Sequence, residues 1–310
     1  MTSTQQKTIA LTGATGFVGS RMLDLAVRQG HVIRALTRQR QDDRPNVRWI
    51  RGALDDQKSL NGLYLGADVV LHIAGVVNAP DRDGFEHGNV AGTLAVVEAA
   101  KQAGAQRFIH VSSLAATQPA LSIYGETKAK AEKIVAASGL DWTIIRPPAI
   151  YGPGDGEMLE LFKMAKWGFI TLPPNADGHL SVIHVDDLCA ALLALIPAHE
   201  DLTAEIFEVD DGQDGGWSQA SFAKAIGWAT GRRIKPIGIP KPFLLVGARV
   251  DRLFRKGKAK LTQDRVNYFC HDDWTIDPSK RPPSQLWQPK IETRKGLKDT
   301  AKWYQQNDWL

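Results

Sequence analysis

Tyr124 and Lys128, in the run Tyr124-Gly125-Glu126-Thr127-Lys128, stand four residues apart, which on a helix puts both side chains on one face. A phenol titrating near ~10 is a poor base at neutral pH. A neighbouring ammonium stabilises the phenolate and brings that value down, so Tyr124 is expected to exchange a proton with an alcohol or carbonyl. Such pairs are common, and the context comes from the strand-like run Arg107-Phe108-Ile109-His110-Val111, which ends in Ser112-Ser113. In α/β sheets ligands bind beyond the carboxyl ends of strands. One serine is expected to hydrogen-bond the reacting oxygen beside Tyr124, the other to serve the turn.

A second constellation opens the chain. Thr12-Gly13-Ala14-Thr15-Gly16-Phe17-Val18-Gly19 follows the apolar run at residues 8–11 and leads into the helical pattern Val18, Met22, Leu25, Ala26. A strand, a glycine-rich turn and a helix N-terminus together suit a dinucleotide. The glycines admit close backbone approach, and the helix N–H groups attract pyrophosphate. The glycine spacing is G-x-x-G-x-x-G. The next strand-like run ends at Thr37-Arg38, where an acidic residue would select a free ribose 2′-OH. A guanidinium pairs with a 2′-phosphate and the Thr37 hydroxyl supports it, so NADP is expected, with NAD as the alternative. An oxidised nicotinamide would add its positive charge to that of Lys128 in lowering Tyr124.

These groups need a sheet to position them. Strand-like runs at 8–11, 32–36, 47–51, 69–73, 108–111 and 143–145 alternate with helical patterns at 18–29, 58–65, 90–103 and 124–138. The alternation predicts an α/β fold, a Rossmann-type doubly wound parallel sheet. Gly30, Gly104 and Gly139 fall where helices should stop. After Pro147-Pro148 the rhythm breaks. Residues 1–150 read as the dinucleotide-binding domain, with a returning segment near 181–200. That segment holds a helix at 185–195, its start capped by Asp186 or Asp187. Residues 151–310 read mostly as a smaller, discontinuous C-terminal substrate domain.

Composition narrows the classes. The 310 residues carry a net charge of +4, and no window approaches a membrane span. Residues 1–7 lack the apolar stretch of a secretory signal, and 2 cysteines are too few for a disulfide framework, so a cytoplasmic location is expected. The basic stretch 249–260 reads as a solvated helix face in preference to an anionic-partner patch. No nucleic-acid module is present. His72 and His184 lack further ligands at metal spacing, so no metal is expected.

The pieces TGATGFVG (12–19), VVLHIAG (69–75), NVAGT (89–93), FIHVSS (108–113), YGETK (124–128), RPPAIYGPGD (146–155) and IHVDD (183–187) occur in one order. In them the chain resembles the extended short-chain dehydrogenase/reductase superfamily, the NAD(P)-dependent epimerase/dehydratase group. The resemblance implies a Ser113, Tyr124, Lys128 catalytic set transferring hydride between nicotinamide and a carbonyl/alcohol pair. It implies a pyrophosphate turn at Gly13, Thr15, Gly16, Phe17, Val18 and Gly19. Thr37, Arg38 and Leu54 would face the adenosine end. Ala74, Gly75, Lys128 and Pro147 would follow the cofactor toward the nicotinamide, with Asn89 at the start of the next helix and Arg146 beside Pro147. It makes a homodimer through helices of the cofactor domain an expectation.

Two departures turn the substrate away from nucleotide sugars: only 11 positions (124 − 113) separate Ser113 from Tyr124, and His179-Leu180-Ser181-Val182 has no arginine before IHVDD. A third departure is Gly52-Ala53-Leu54 where the family often has Gly-Asp-Leu, so that a main-chain contact must serve near adenine or Asp55 or Asp56 must reach in. Trp167, Phe169, Ile170, Phe243, Leu244 and Leu245 are candidates for an apolar substrate wall, which suits an apolar ketone, aldehyde or alcohol. This favours the dihydroflavonol-reductase-like and 3β-hydroxysteroid-dehydrogenase-like branches. The alternatives are an epimerase/dehydratase of nucleotide sugars or a non-catalytic NADP-binding scaffold.

Overall fold

The computed structural model describes residues 6–197, 200–255 and 261–310. The chain divides into two compact units. The first runs to Pro119 and adds Tyr124–Arg146 and Cys189–Phe207; the second comprises Ala120–Ile123, Pro147–Leu188 and Glu208–Leu310.

In the first unit six strands, β1 (Thr8–Thr12), β2 (Val32–Thr37), β3 (Val47–Arg51), β4 (Val69–His72), β5 (Arg107–Val111) and β6 (Trp142–Arg146), join the strand Glu205–Glu208 in one sheet. The order is Glu205–Glu208, β6, β5, β4, β1, β2, β3, and the pairings among β1 to β6 are parallel. The order reverses between β1 and β4, which makes their carboxyl ends the switch point where such sheets bind ligands. Ile9, Ala10 and Leu11 of β1 are all buried, as a central strand covered on both faces requires. Helices α1 (Phe17–Arg28), α2 (Gln57–Tyr64), α3 (Arg82–Phe85), α4 (Gly92–Gln102) and α5 (Ile123–Ala136) supply the cover. Leu60 and Leu63 of α2, Val96, Val97 and Ala100 of α4 and Val135 of α5 pack on Ala10, Val70, Phe108 and Ile144 of the sheet. Gly30, Gly104 and Gly139 follow their helices with positive φ.

The structure departs from the expected helix at 90–103. Helix begins instead at α3, after Asp81 accepts a hydrogen bond from the Gly84 N–H. It then widens into a π-turn, Glu86–Ala91, before α4. A π-turn inserts a residue and shifts the phase, so a period of 3.6 cannot be followed through it.

In the second unit, Ala149–Tyr151 pairs in parallel with Val182–His184, and Phe169–Leu172 with Lys235–Gly238. Its core gathers Tyr151, Phe162, Ile170, Val182, Phe222, Ile226, Leu297 and Tyr304. Asp187 does not cap the helix Val185–Ala194; its two oxygens accept the Lys290 and Ile291 N–H groups and hold the C-terminal segment. The wall candidates scatter: Ile170 is core, whereas Trp167 and Phe243 are 81% and 69% exposed. Of the basic stretch 249–260, residues 256–260 lie outside the described residues.

Candidate active site

The turn after β1 is built around two close approaches. Gly13 has φ +75°, and a Cβ there would stand 2.7 Å from the Ala74 nitrogen in the loop after β4. A Cβ on Gly19 would stand 2.0 Å from the Gly13 oxygen. Gly16 is easier, its nearest neighbour at 3.4 Å. Gly16 also caps α1 without any side-chain hydrogen bond, and the first turn of α1 holds no acidic residue. Thr15 and Gly16 are exposed and Phe17 and Val18 half-buried. A bare helix N-terminus behind a turn closed to side chains at Gly13 and Gly19 suits a pyrophosphate.

Beneath it, His72 is a structural tie. Its Nδ1 hydrogen-bonds Thr12 Oγ1 at 2.7 Å, its Nε2 hydrogen-bonds Thr93 Oγ1 at 3.1 Å, and Thr12 Oγ1 accepts the Ala74 N–H at 3.3 Å. Burial, then the charge of Lys128, pushes the ring down to about 3, so it is neutral. His184 Nδ1 accepts the Asp186 N–H in a local turn. Among the described residues no His, Cys, Asp and Glu cluster could hold a metal.

At the end of β2, the Thr37 hydroxyl donates to Gln39 O at 2.7 Å and accepts the Gln39 N–H, shaping the turn. Arg38 beside it is exposed. Of the two carboxylates offered for adenine, Asp56 caps α2 through the Lys58 and Ser59 N–H groups. Asp55 is exposed and 3.8 Å from His87. Leu54 packs on α4, where a Cβ on Gly92 would come within 2.9 Å of it.

Beyond β5 and on α5 the hydroxyls and the amine converge. Ser113 is buried, accepts the Ala115 N–H at 3.2 Å and hydrogen-bonds the Tyr124 side chain. One serine thus caps the turn and meets the phenol, while Ser112 faces elsewhere and donates to Glu132 Oε1 at 2.5 Å. Tyr124 is half-buried, its ring 6.3 Å from that of Phe85. Lys128, 4% exposed, donates from Nζ to Val111 O at 2.9 Å. Burial pushes its ammonium down to about 8, against the opposing pull of Glu132. Tyr124 is raised above the ordinary phenol value by burial, with the Ser113 hydrogen bond opposing. The expected lowering of Tyr124 is therefore absent from the chain alone: desolvation is the larger effect without the nicotinamide charge. Gly75 is exposed above this group, and a Cβ on it would be 3.3 Å from Asn89 Oδ1 and 3.7 Å from Lys128 Nζ. Pro147 is buried at the start of the second unit.

Two residues acquire their parts only in three dimensions. Asn89, in the π-turn, accepts the Val76 N–H at 2.7 Å and donates to Val76 O and to Thr127 Oγ1, tying the loop after β4 to α5. Glu132, which no motif in the sequence marks, lies one turn beyond Lys128 and takes a two-point hydrogen bond from Arg146 at 2.9 and 2.7 Å. Its signal was the i, i+4 step from Lys128, the same step that links Tyr124 to Lys128.

A nucleotide cradle at a sheet switch point, beside a Ser–Tyr–Lys cluster, defines a class, and comparison with known proteins agrees. The pattern of the NAD dependent epimerase/dehydratase family matches residues 9–209, and the chain belongs to that family. It is an enzyme of this nicotinamide-dependent group. Among its relatives, a ceramide reductase of Caulobacter vibrioides is 34% identical over 317 aligned residues, covering 97% of this chain and 96% of the relative. A 4-hydroxy-2-methyl-3-oxo-4-farnesyl-3,4-dihydroquinoline-1-oxide ketoreductase of Stigmatella aurantiaca is 28% identical, covering 65% of this chain and 67% of its own. In fold, the chain is similar to UDP-glucuronic acid 4-epimerase of Bacillus cereus, with TM-score 0.76 and 17% identity over 97% of this chain and 99% of that one.

Proposed function

We propose that this enzyme is an NADPH-linked reductase of a long-chain lipid carbonyl of the ceramide type. Similarity over the full length to a ceramide reductase supports the substrate class. The exposed Arg38 after β2, where an acidic residue would favour NAD, supports NADP. The observation that carries the reaction type is the Ser113–Tyr124 hydrogen bond on the same helix face as the buried Lys128.

The cofactor, when bound, supplies the hydride. Gly13, Thr15, Gly16, Phe17 and Val18 would hold its pyrophosphate, Thr37, Arg38 and Leu54 its adenosine end, and Ala74, Gly75 and Pro147 would lie toward its nicotinamide. Tyr124 donates its phenolic proton to the substrate oxygen as that oxygen gains charge. Its raised titration keeps it protonated at neutral pH, the form that reduction needs. Ser113 orients the phenol and hydrogen-bonds the same oxygen. Lys128, anchored on Val111 O, keeps a positive charge beside the phenolate that forms and offers its remaining N–H groups to ribose hydroxyls. The same reading takes the protein as a cytoplasmic homodimer paired through helices of the first unit, which sedimentation velocity tests.

The experiment follows nicotinamide absorbance with NADPH or NADH and a panel of ketones that includes a keto-ceramide. NADPH oxidation with the lipid ketone is expected. Tyr124→Phe should slow turnover by about a thousandfold and leave NADPH affinity within about twofold. Loss of cofactor affinity together with turnover would remove Tyr124 from the acid role. Stabilisation of the protein by nucleotide sugars, with no oxidation of NADPH by any ketone, would instead favour an epimerase or dehydratase.

A further inference from the structure

The helix Lys241–Arg255 carries an apolar stripe that none of the described residues covers. Phe243, Val246, Val250, Leu253 and Phe254 are 69%, 56%, 46%, 76% and 85% exposed. At 3.6 residues per turn these five positions fall in an arc of about 100°. The stripe is not the face by which the helix joins its own unit. Ala248, on another face of the helix, is 5% exposed.

Charge decides what fits the stripe. The helix contains Lys241, Arg249, Arg252 and Arg255 against Asp251 alone, four bases less one acid, a net +3. The Asp251 carboxylate is already engaged, accepting the Leu261 N–H at 2.9 Å. Pairing two copies of this helix would set one net positive helix beside another, which opposes the pairing. A contiguous apolar stripe of Phe, Leu and Val on a basic helix matches an anionic bilayer, which offers acyl chains below and negative headgroups above. We propose that the helix Lys241–Arg255 lies in the surface of an anionic phospholipid membrane, with Phe243, Leu253 and Phe254 inserted among the acyl chains. The docking stands on this helix alone and does not depend on the identity of the substrate.

The test spins the full-length protein with vesicles of phosphatidylcholine, and with vesicles containing about 30% phosphatidylglycerol, at low and high salt. A triple variant, Phe243→Ser, Leu253→Ser and Phe254→Ser, runs beside it. These side chains are exposed, so the variant should melt with the wild type and bind NADPH equally. The wild type should sediment with the anionic vesicles, release from them at high salt, and bind them at least about tenfold more tightly than the variant. Three outcomes overturn the proposal: no binding to anionic vesicles, undiminished binding by the variant, or equal binding to phosphatidylcholine alone. A change of the variant's assembly state in sedimentation velocity, with vesicle binding absent, would assign the stripe to a contact between copies and also overturn it.

Discussion

Lys128→Met should invert the order of stability between variant and wild type as pH rises. The ammonium titrates at about 8 in the folded chain because it is buried, against a usual value of 10.5. At about 1.36 kcal/mol per unit, folding with the charge in place costs about 3 kcal/mol at pH 7. The sign follows from proton binding. Between about pH 8 and 10.5 the unfolded chain holds the proton that the folded chain has released, so wild-type stability rises with pH across that window. Below pH 8 both states are protonated and the cost is fully present. Methionine removes the charge but leaves Val111 O without the donor it has at 2.9 Å. An unmet buried acceptor costs roughly 1–3 kcal/mol at any pH. At pH 7 the variant should then equal or exceed the wild type by up to about 2 kcal/mol, and near pH 10 it should be the less stable by a similar amount. Urea unfolding of both proteins at the two pH values reads the difference directly, and turnover should vanish in the variant throughout. A stability gap that stays constant from pH 7 to pH 10 would refute a desolvated Lys128.

Glu132→Gln leaves the Arg146 guanidinium without its two-point partner and should cost about 3 kcal/mol in urea unfolding. Because Glu132 supports the Lys128 charge, the alkaline limb of the pH–rate profile should move to lower pH, a shift that a merely structural role would not produce. Gly19→Ala should abolish NADPH binding and lower the melting temperature, since its Cβ meets the Gly13 oxygen at 2.0 Å, whereas Gly16→Ala, with 3.4 Å of clearance, should fold like the wild type. Equal melting temperatures for the two variants would contradict the packing of the turn. Arg38→Asp should reduce the preference for NADPH over NADH by about a hundredfold in kcat/KM, through loss of a charge-assisted pair and gain of an acceptor for the ribose 2′-OH. An unchanged ratio would assign cofactor choice to other residues.

Features that lie within one element or one turn were legible in the residues alone. The strand–glycine–helix order at Thr8–Gly19, the helix stops at Gly30 and Gly104, and the shared face of Tyr124 and Lys128 are consequences of backbone sterics and a period of 3.6 residues. Alternation of strand and helix patterns then implied the parallel sheet.

Other features depend on how distant elements pack. Ser113, and not Ser112, meets Tyr124, because Ser112 is turned to Glu132. Asp56 is committed to capping α2, Ile170 is core while Trp167 and Phe243 are exposed, and the π-turn brings Asn89 to Thr127. Protonation follows the same division. The i, i+4 step put an ammonium near a phenol, but burial of both raised Tyr124 and lowered Lys128. Periodicity gives the direction of a side chain along its own helix. Desolvation and ion pairing depend on which other elements close over it, and that is written in no local stretch of sequence.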